Sequence, residues 1–181
     1  MKSTLPFSAR LKSTLYAFLM AMLLLFSAAA CGQNDDQRDF EREAFSLPDG
    51  ITETDERGQI IDGNEDPDDW RIAPFFAGLV FIDPLPGPNP VPIGDRITFE
   101  ISSPFIDGIS FLEIIVLIQD GTNFQPRSVY GPARFELSES ISIDPVRFGR
   151  TGTAESARGL HRIILLDGRD AVISYGDVLV E

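Results

Sequence analysis

The fold is decided by residues 94–102, GDRITFEIS. The apolar residues Ile97, Phe99 and Ile101 alternate there with polar ones, and a period of two is typical of a strand with one buried face. Residues 111–119, FLEIIVLIQ, are apolar on almost every position, which predicts a central strand covered on both faces. These two segments indicate that the chain folds around β-sheets.

Further strands are expected on both sides of this centre. The segments with strand character are residues 75–82, 127–130, 135–143 and 160–180. The last of them turns at Asp167 and Gly168, a pair that favours a hairpin. About seven strands separated by Pro, Gly and Asp predict an all-β sandwich over residues 74–181. The side chains expected between its sheets are Ile97, Phe99, Ile101, Ile114, Val116, Phe135, Leu137 and Ile164.

The amino terminus has the composition of an export signal. Lys2, Arg10 and Lys12 precede the apolar run LYAFLMAMLLLF, residues 15–26. Twelve apolar residues fall short of the roughly 20 that a membrane-spanning helix needs. We therefore predict a signal peptide over residues 1–30 that is removed from the mature protein.

The small residues after this run end at Cys31, the single cysteine of the chain, which excludes a disulfide within it. The sequence SAAACG resembles the signal of bacterial lipoproteins, in which the cysteine is lipidated and becomes the mature amino terminus. The resemblance implies that Cys31 carries lipid and that this lipid attaches the protein to its partner, the membrane. Gly32, in place of aspartate, implies the cell outer membrane, with a periplasmic or surface-exposed domain. Ala28 stands where this family usually has leucine, so ordinary cleavage after Ala30 stays open.

Acidic residues dominate the charge of the chain. There are 28 acidic and 15 basic residues, a formal charge of −13, which becomes −16 once residues 1–30 and their three basic residues are removed. Such a field repels phosphates, so no nucleic acid partner is expected. Residues 31–73 carry half of the acids, and this composition predicts a disordered, flexible acidic tether. A short helix lined by Phe40, Ala44, Phe45 and Leu47 is an alternative within it.

Residues 87–101, GPNPVPIGDRITFEI, are similar to the start of small immunoglobulin-like domains with a P-N-P motif. Flagellar hook-cap-like domains and the sorting domains of type IX secretion cargo are of this kind. The resemblance implies an immunoglobulin-like sandwich of seven strands used for attachment or sorting, without catalytic residues.

Three features are candidates for a site. His161 lies inside a predicted strand, where a structural or surface role is favoured over catalysis or zinc binding. Trp70 is expected to pack against the sandwich, with ligand stacking as the alternative. Residues 62–69 offer oxygen atoms of the type that calcium prefers, from Asp62, Asn64, Asp66 and Asp68. A solvated acidic loop is favoured there, because Pro67 stands where an EF-hand has glycine. No metal site is therefore predicted.

The sequence contains no phosphate-binding loop, nucleophile elbow or cysteine site, so neither an enzyme activity nor a cofactor is predicted. It predicts a lipid-anchored cell-envelope binding or assembly module with a protein or glycan partner. Recognition is expected at sheet edges or in loops 121–127 and 151–158. The alternative is a small carbohydrate-active or hydrolytic domain that uses carboxylates. Exposed aromatic rings would support sugar binding, and a concave cluster of carboxylates with perturbed pKa values would support catalysis.

Overall fold

The computed structural model describes residues 35–61, 63–105, 108–120 and 123–181, without the side chains of Asp120 and Asn123. Residues 35–44 are helical and are called α1. The strands are β1 (Phe81–Ile82), β2 (Ile97–Ser102), β3 (Phe111–Asp120), β4 (Asn123–Arg134), β5 (Ser138–Ile143), β6 (Gly159–Asp167) and β7 (Val172–Val180). Two 3-10 helices, Pro74–Phe76 and Pro145–Phe148, and the short helix α2 (Ala154–Ala157) complete the fold.

The strands form two antiparallel sheets, in the orders β1-β2-β5 and β4-β3-β6-β7. The prediction of an all-β sandwich is confirmed. β3 lies between β4 and β6, as its apolar character on both faces indicates. β6 and β7 form the hairpin predicted around Asp167 and Gly168, and backbone bonds close its turn.

The core follows the alternation of the sequence. In β2 the side chains of Ile97, Phe99 and Ile101 are buried, whereas those of Thr98 and Glu100 are only partly covered. The other expected core residues are also buried, with one exception. The prediction for Leu137 is wrong, because its side chain is 62% exposed. It precedes the first residue of β5 and lies at the end of the three-stranded sheet.

The predicted domain boundary at residue 73 is also wrong. Asp39–Glu181 is a single compact unit, and the separate unit Met1–Arg38 is described only at residues 35–38, which are helical. Phe40, Ala44 and Trp70 are buried in the core, so residues 39–73 belong to the folded domain rather than to a tether. The tether was predicted from the high average charge of this segment, which gave too little weight to its few apolar residues. Phe40 and Ala44 lie on the same side of α1, since they are four residues apart.

These amino-terminal residues also cover one edge of the larger sheet. The backbone N–H groups of Trp70 and Ala73 donate to the carbonyls of Tyr175 and Ile173 in β7, at 2.7 and 2.8 Å. Val91 N–H donates to Leu179 at 2.8 Å further along the same strand. The edge of β7 is therefore occupied, and the expectation of recognition at sheet edges does not hold for this edge.

Parts of the two expected recognition loops belong to regular elements, and residues 121 and 122 lie outside the described residues. Residues 123–127 begin β4, because β3 continues to Asp120 and pairs directly with Asn123. The segment 151–158 contains α2, which Thr153 caps by accepting a bond from the backbone of Ser156. Each segment is therefore held by regular backbone bonds.

Candidate functional site

A buried ion pair in the larger sheet also binds residues 39–73, which are called the amino-terminal segment. Arg162 in β6 lies opposite Asp177 in β7, and its guanidinium donates to both carboxylate oxygens, at 2.5 and 2.9 Å. The same guanidinium donates to the carbonyls of Glu43 and Leu47, at 3.0 and 3.3 Å, and lies 3.3 Å from the carboxylate of Asp49. Burial alone lowers the pKa of Arg162, but its bonds and charge pairing with Asp177 raise the pKa overall. This arrangement is structural.

Asn89, the central residue of the P-N-P motif, has a structural role in the same region. Its side-chain amide donates to the carbonyls of Thr52 and Asp177, at 3.0 and 2.8 Å, and its oxygen accepts from Leu179 N–H at 3.0 Å. One buried side chain thus satisfies backbone groups from two distant parts of the chain.

Asp69 is a carboxyl group with a strongly perturbed pKa. Burial raises its pKa to about 7, helped by the nearby charges of Asp177 and Asp66 and opposed by bonds from the backbone. Its two oxygens accept from the N–H groups of Thr52 and Asp177, at 2.7 and 2.8 Å. Because both oxygens are engaged by the backbone, we assign Asp69 to the packing of the amino-terminal segment rather than to acid–base chemistry.

The calcium candidates that the structure describes are engaged by nearby protein groups. Asp62 lies outside the described residues. Asn64 donates to the carboxylate of Glu53 at 2.9 Å, and Asp66 accepts from Asp68 N–H at 3.0 Å. The Asp68 carboxylate pairs with a neighbouring arginine at 3.2 Å. Within the described part of the chain, no group of three or more metal-ligating side chains comes together.

Trp70 packs into the sandwich, as predicted. Its ring lies edge-on to Phe99 with a centroid distance of 5.8 Å. The ring also covers Gly176, where a Cβ atom would lie only 2.4 Å from it. Only glycine therefore fits at this position of β7, and the alternative of ligand stacking on Trp70 is wrong because its side chain is buried.

A pocket with exposed aromatic rings lies at the end of the larger sheet that holds the β6–β7 turn. This aromatic pocket has a volume of about 430 Å³ and is lined by Phe75, Phe111, Ser110, Asp167 and Arg169, among others. The side chains of Phe75 and Phe111 are 61% and 47% exposed. Rings of this size are usually buried, so their exposure side by side is informative.

Neighbouring residues hold both rings in place. Phe75 stands edge-on to the buried ring of Phe76, with a centroid distance of 5.0 Å, in the 3-10 helix Pro74–Phe76. Phe111 begins β3 and lies beside Gly168. A Cβ atom added to Gly168 would lie only 2.8 Å from the Cβ atom of Phe111. Asp167 accepts from the N–H groups of Arg169 and Ala171, at 2.8 and 3.1 Å, and so fixes the turn.

Neither a protein-family model, a curated protein nor a solved structure matches the chain. Function is therefore argued from its geometry. Cys31, the predicted lipid attachment residue, lies outside the described residues. In the part of the chain that is described, no helix combines the length and the apolar character needed to cross a membrane.

A second concave site, the basic cleft, lies at the opposite end of the larger sheet. It is lined by Leu117, Phe124, Arg150, Arg158, Leu160 and His161, among others. His161 bonds through Nε2 to the carbonyl of Ala157 at 2.7 Å. Burial lowers the pKa of His161, and the charge of Arg127 lowers it further. His161 and the loops 121–127 and 151–158 were separate candidates in the sequence, and Phe124, Arg158 and His161 meet in this cleft. Their meeting could not be predicted, because the cleft is built from residues far apart in the chain.

Proposed function

We propose that this protein is a lipid-anchored binding module of the cell envelope, and that it holds a glycan in the aromatic pocket. The observation that carries the proposal is the pair of exposed rings, Phe75 and Phe111, around a cavity of about 430 Å³. The volume lies within the range of roughly 300–1,000 Å³ that is usual for ligand sites.

The chemistry of the pocket suits a sugar. The ring faces of Phe75 and Phe111 offer apolar surfaces against which the C–H groups of a sugar ring pack. Ser110 and Arg169 add a hydroxyl and a guanidinium, which bond to sugar hydroxyls. The edge-on contact of Phe75 with Phe76 restricts the Phe75 ring before a ligand binds, so less side-chain freedom is lost on binding.

The anchor is proposed at Cys31, on the signal-like sequence before it. Each buried CH₂ of an acyl chain contributes about 0.8 kcal/mol to membrane attachment, so two or more chains hold a protein firmly. Replacing Cys31 by serine is expected to move the protein from the outer-membrane fraction to the soluble fraction and to abolish labelling with palmitate. If palmitate never labels the wild-type protein, the anchor is absent.

Binding is tested on the Cys31→Ser protein with oligosaccharides of glucose, mannose and N-acetylglucosamine, by calorimetry. We expect Phe111→Ala to weaken binding about tenfold or more, since one contact face of the pocket is lost. Phe45→Ala is the matched control, because Phe45 is 48% exposed and is not among the residues that line the pocket.

Two outcomes contradict the glycan proposal. One is that none of the saccharides binds, and the other is that both phenylalanine variants lose affinity equally. Release of new reducing ends from a bound oligosaccharide would favour the carbohydrate-active alternative.

A further inference from the structure

The basic cleft has the dimensions of a small-molecule site and is separate from the aromatic pocket. Its volume is about 410 Å³, within the range usual for such sites. The walls come from the end of β3, the start of β4 and β6, and the segment between Pro145–Phe148 and α2. A smaller pocket of about 250 Å³ adjoins it and shares Ile118 and Arg150 with it.

Positive charge is built into this end of the molecule. Arg127 lines the smaller pocket, and its guanidinium donates to the backbone carbonyls of Arg147, Gly149 and Arg150. Carbonyl oxygens have no formal charge, so these bonds fix the guanidinium and leave its positive charge in place. The charge acts across the cleft, because it contributes to the lowered pKa of His161.

Further cations lie on the wall of the cleft itself. Arg158 follows α2 directly and has an exposed side chain, and Arg150 lines both pockets. Among the described lining residues of the two pockets, no side chain is a carboxylate. The described lining is therefore basic, whereas the chain as a whole has a formal charge of −13.

Much of the remaining wall is apolar, and Gln119, Ser156 and His161 also line it. Leu117 and Phe148 are buried beneath it, and Ile118, Phe124 and Leu160 are partly covered. A ligand that fills the cleft therefore meets cations at one side and aliphatic or aromatic carbon at the other.

We propose that the basic cleft binds an amphipathic carboxylate, a carboxylate group joined to a short aliphatic chain. The planar guanidinium of Arg158 matches the two oxygens of a carboxylate. The aliphatic chain lies against Phe124 and Leu160, where its apolar surface leaves water. This site goes beyond the proposed glycan function and uses the opposite end of the sheet.

The test uses sodium octanoate, titrated into the Cys31→Ser protein and followed by backbone amide NMR shifts. We expect shifts at residues 117–119 and 158–161 and weaker binding as salt increases. Arg158→Gln is expected to weaken octanoate binding at least about threefold. Arg42→Gln is the matched control, because Arg42 is an exposed arginine of α1 paired with Asp39 at 2.8 Å. It is expected to leave octanoate binding unchanged.

Two comparison ligands separate charge from apolar contact. Inorganic phosphate supplies the charge alone and 1-octanol supplies the chain alone, and both are expected to bind more weakly than octanoate. The proposal is overturned if octanoate does not shift these amides, or if either comparison ligand binds as tightly. It is equally overturned if Arg158→Gln and Arg42→Gln have the same effect.

Discussion

Single residues in the amino-terminal segment govern how the domain responds to pH, and Asp69 is the clearest case. Its pKa is about 7 in the folded chain against an ordinary value of 3.8. Between these values the folded chain keeps a proton on Asp69 that the unfolded chain has released. The contribution of Asp69 to the free energy of unfolding therefore falls as pH rises from about 4 to about 7 and levels off above that, by at most about 1.4 kcal/mol per pH unit.

Replacing Asp69 by asparagine is expected to remove this part of the pH dependence, because the amide does not titrate. Urea unfolding at pH 4, 5, 6 and 7 measures it, with Asp68→Asn as the control at an exposed neighbour. The wild-type protein and the control are expected to lose stability over this range, and Asp69→Asn to lose less. Equal slopes for all three would show that Asp69 is already ionised at pH 4.

At the scale of elements, one side chain of β6 connects α1 and the residues after it to the larger sheet. Arg162 donates to the carbonyls of Glu43 and Leu47 while it pairs with Asp177. Trp70 and Ala73 add backbone bonds to β7. The segment therefore acts as an additional layer on the edge of the sandwich, and its attachment depends on a buried charge.

Arg162→Ala is expected to lower the free energy of unfolding by about 3–5 kcal/mol, because Asp177 then keeps a buried charge without its partner. Urea unfolding measures the loss, and limited proteolysis is expected to cut first within residues 45–50. Arg42→Ala removes an ion pair whose side chains are 78% and 65% exposed, and no more than about 0.5 kcal/mol is expected from it. If the two variants are equally stable, the buried pair contributes nothing.

For the whole molecule, the buried faces of strands could be predicted from the alternation of apolar and polar residues. Features that depend on contacts between distant residues could not. Ile97, Phe99 and Ile101 were assigned correctly, because period two requires only neighbours in the chain. The pairing of Arg162 with Asp177 had a weak signal in the sequence, namely opposite charges in the interiors of two largely apolar strands. Nothing in the sequence indicated that Phe75 and Phe111 are exposed. The composition of a strand does not show where the sheet ends, and therefore does not show which of its rings remain uncovered. The resemblance to immunoglobulin-like P-N-P domains stays a prediction.

The bonds between the two ends of the domain determine the order in which it can fold. Asp49 N–H donates to Asp177, 128 residues later, and Tyr175 bonds to Glu43 across 132 residues. During synthesis, these two bonds cannot form until almost the last strand has been made. Contacts of such long sequence separation slow folding, because a large loop must close before they form. Removal of residues 175–181 would therefore take both bonds from the first segment of the domain.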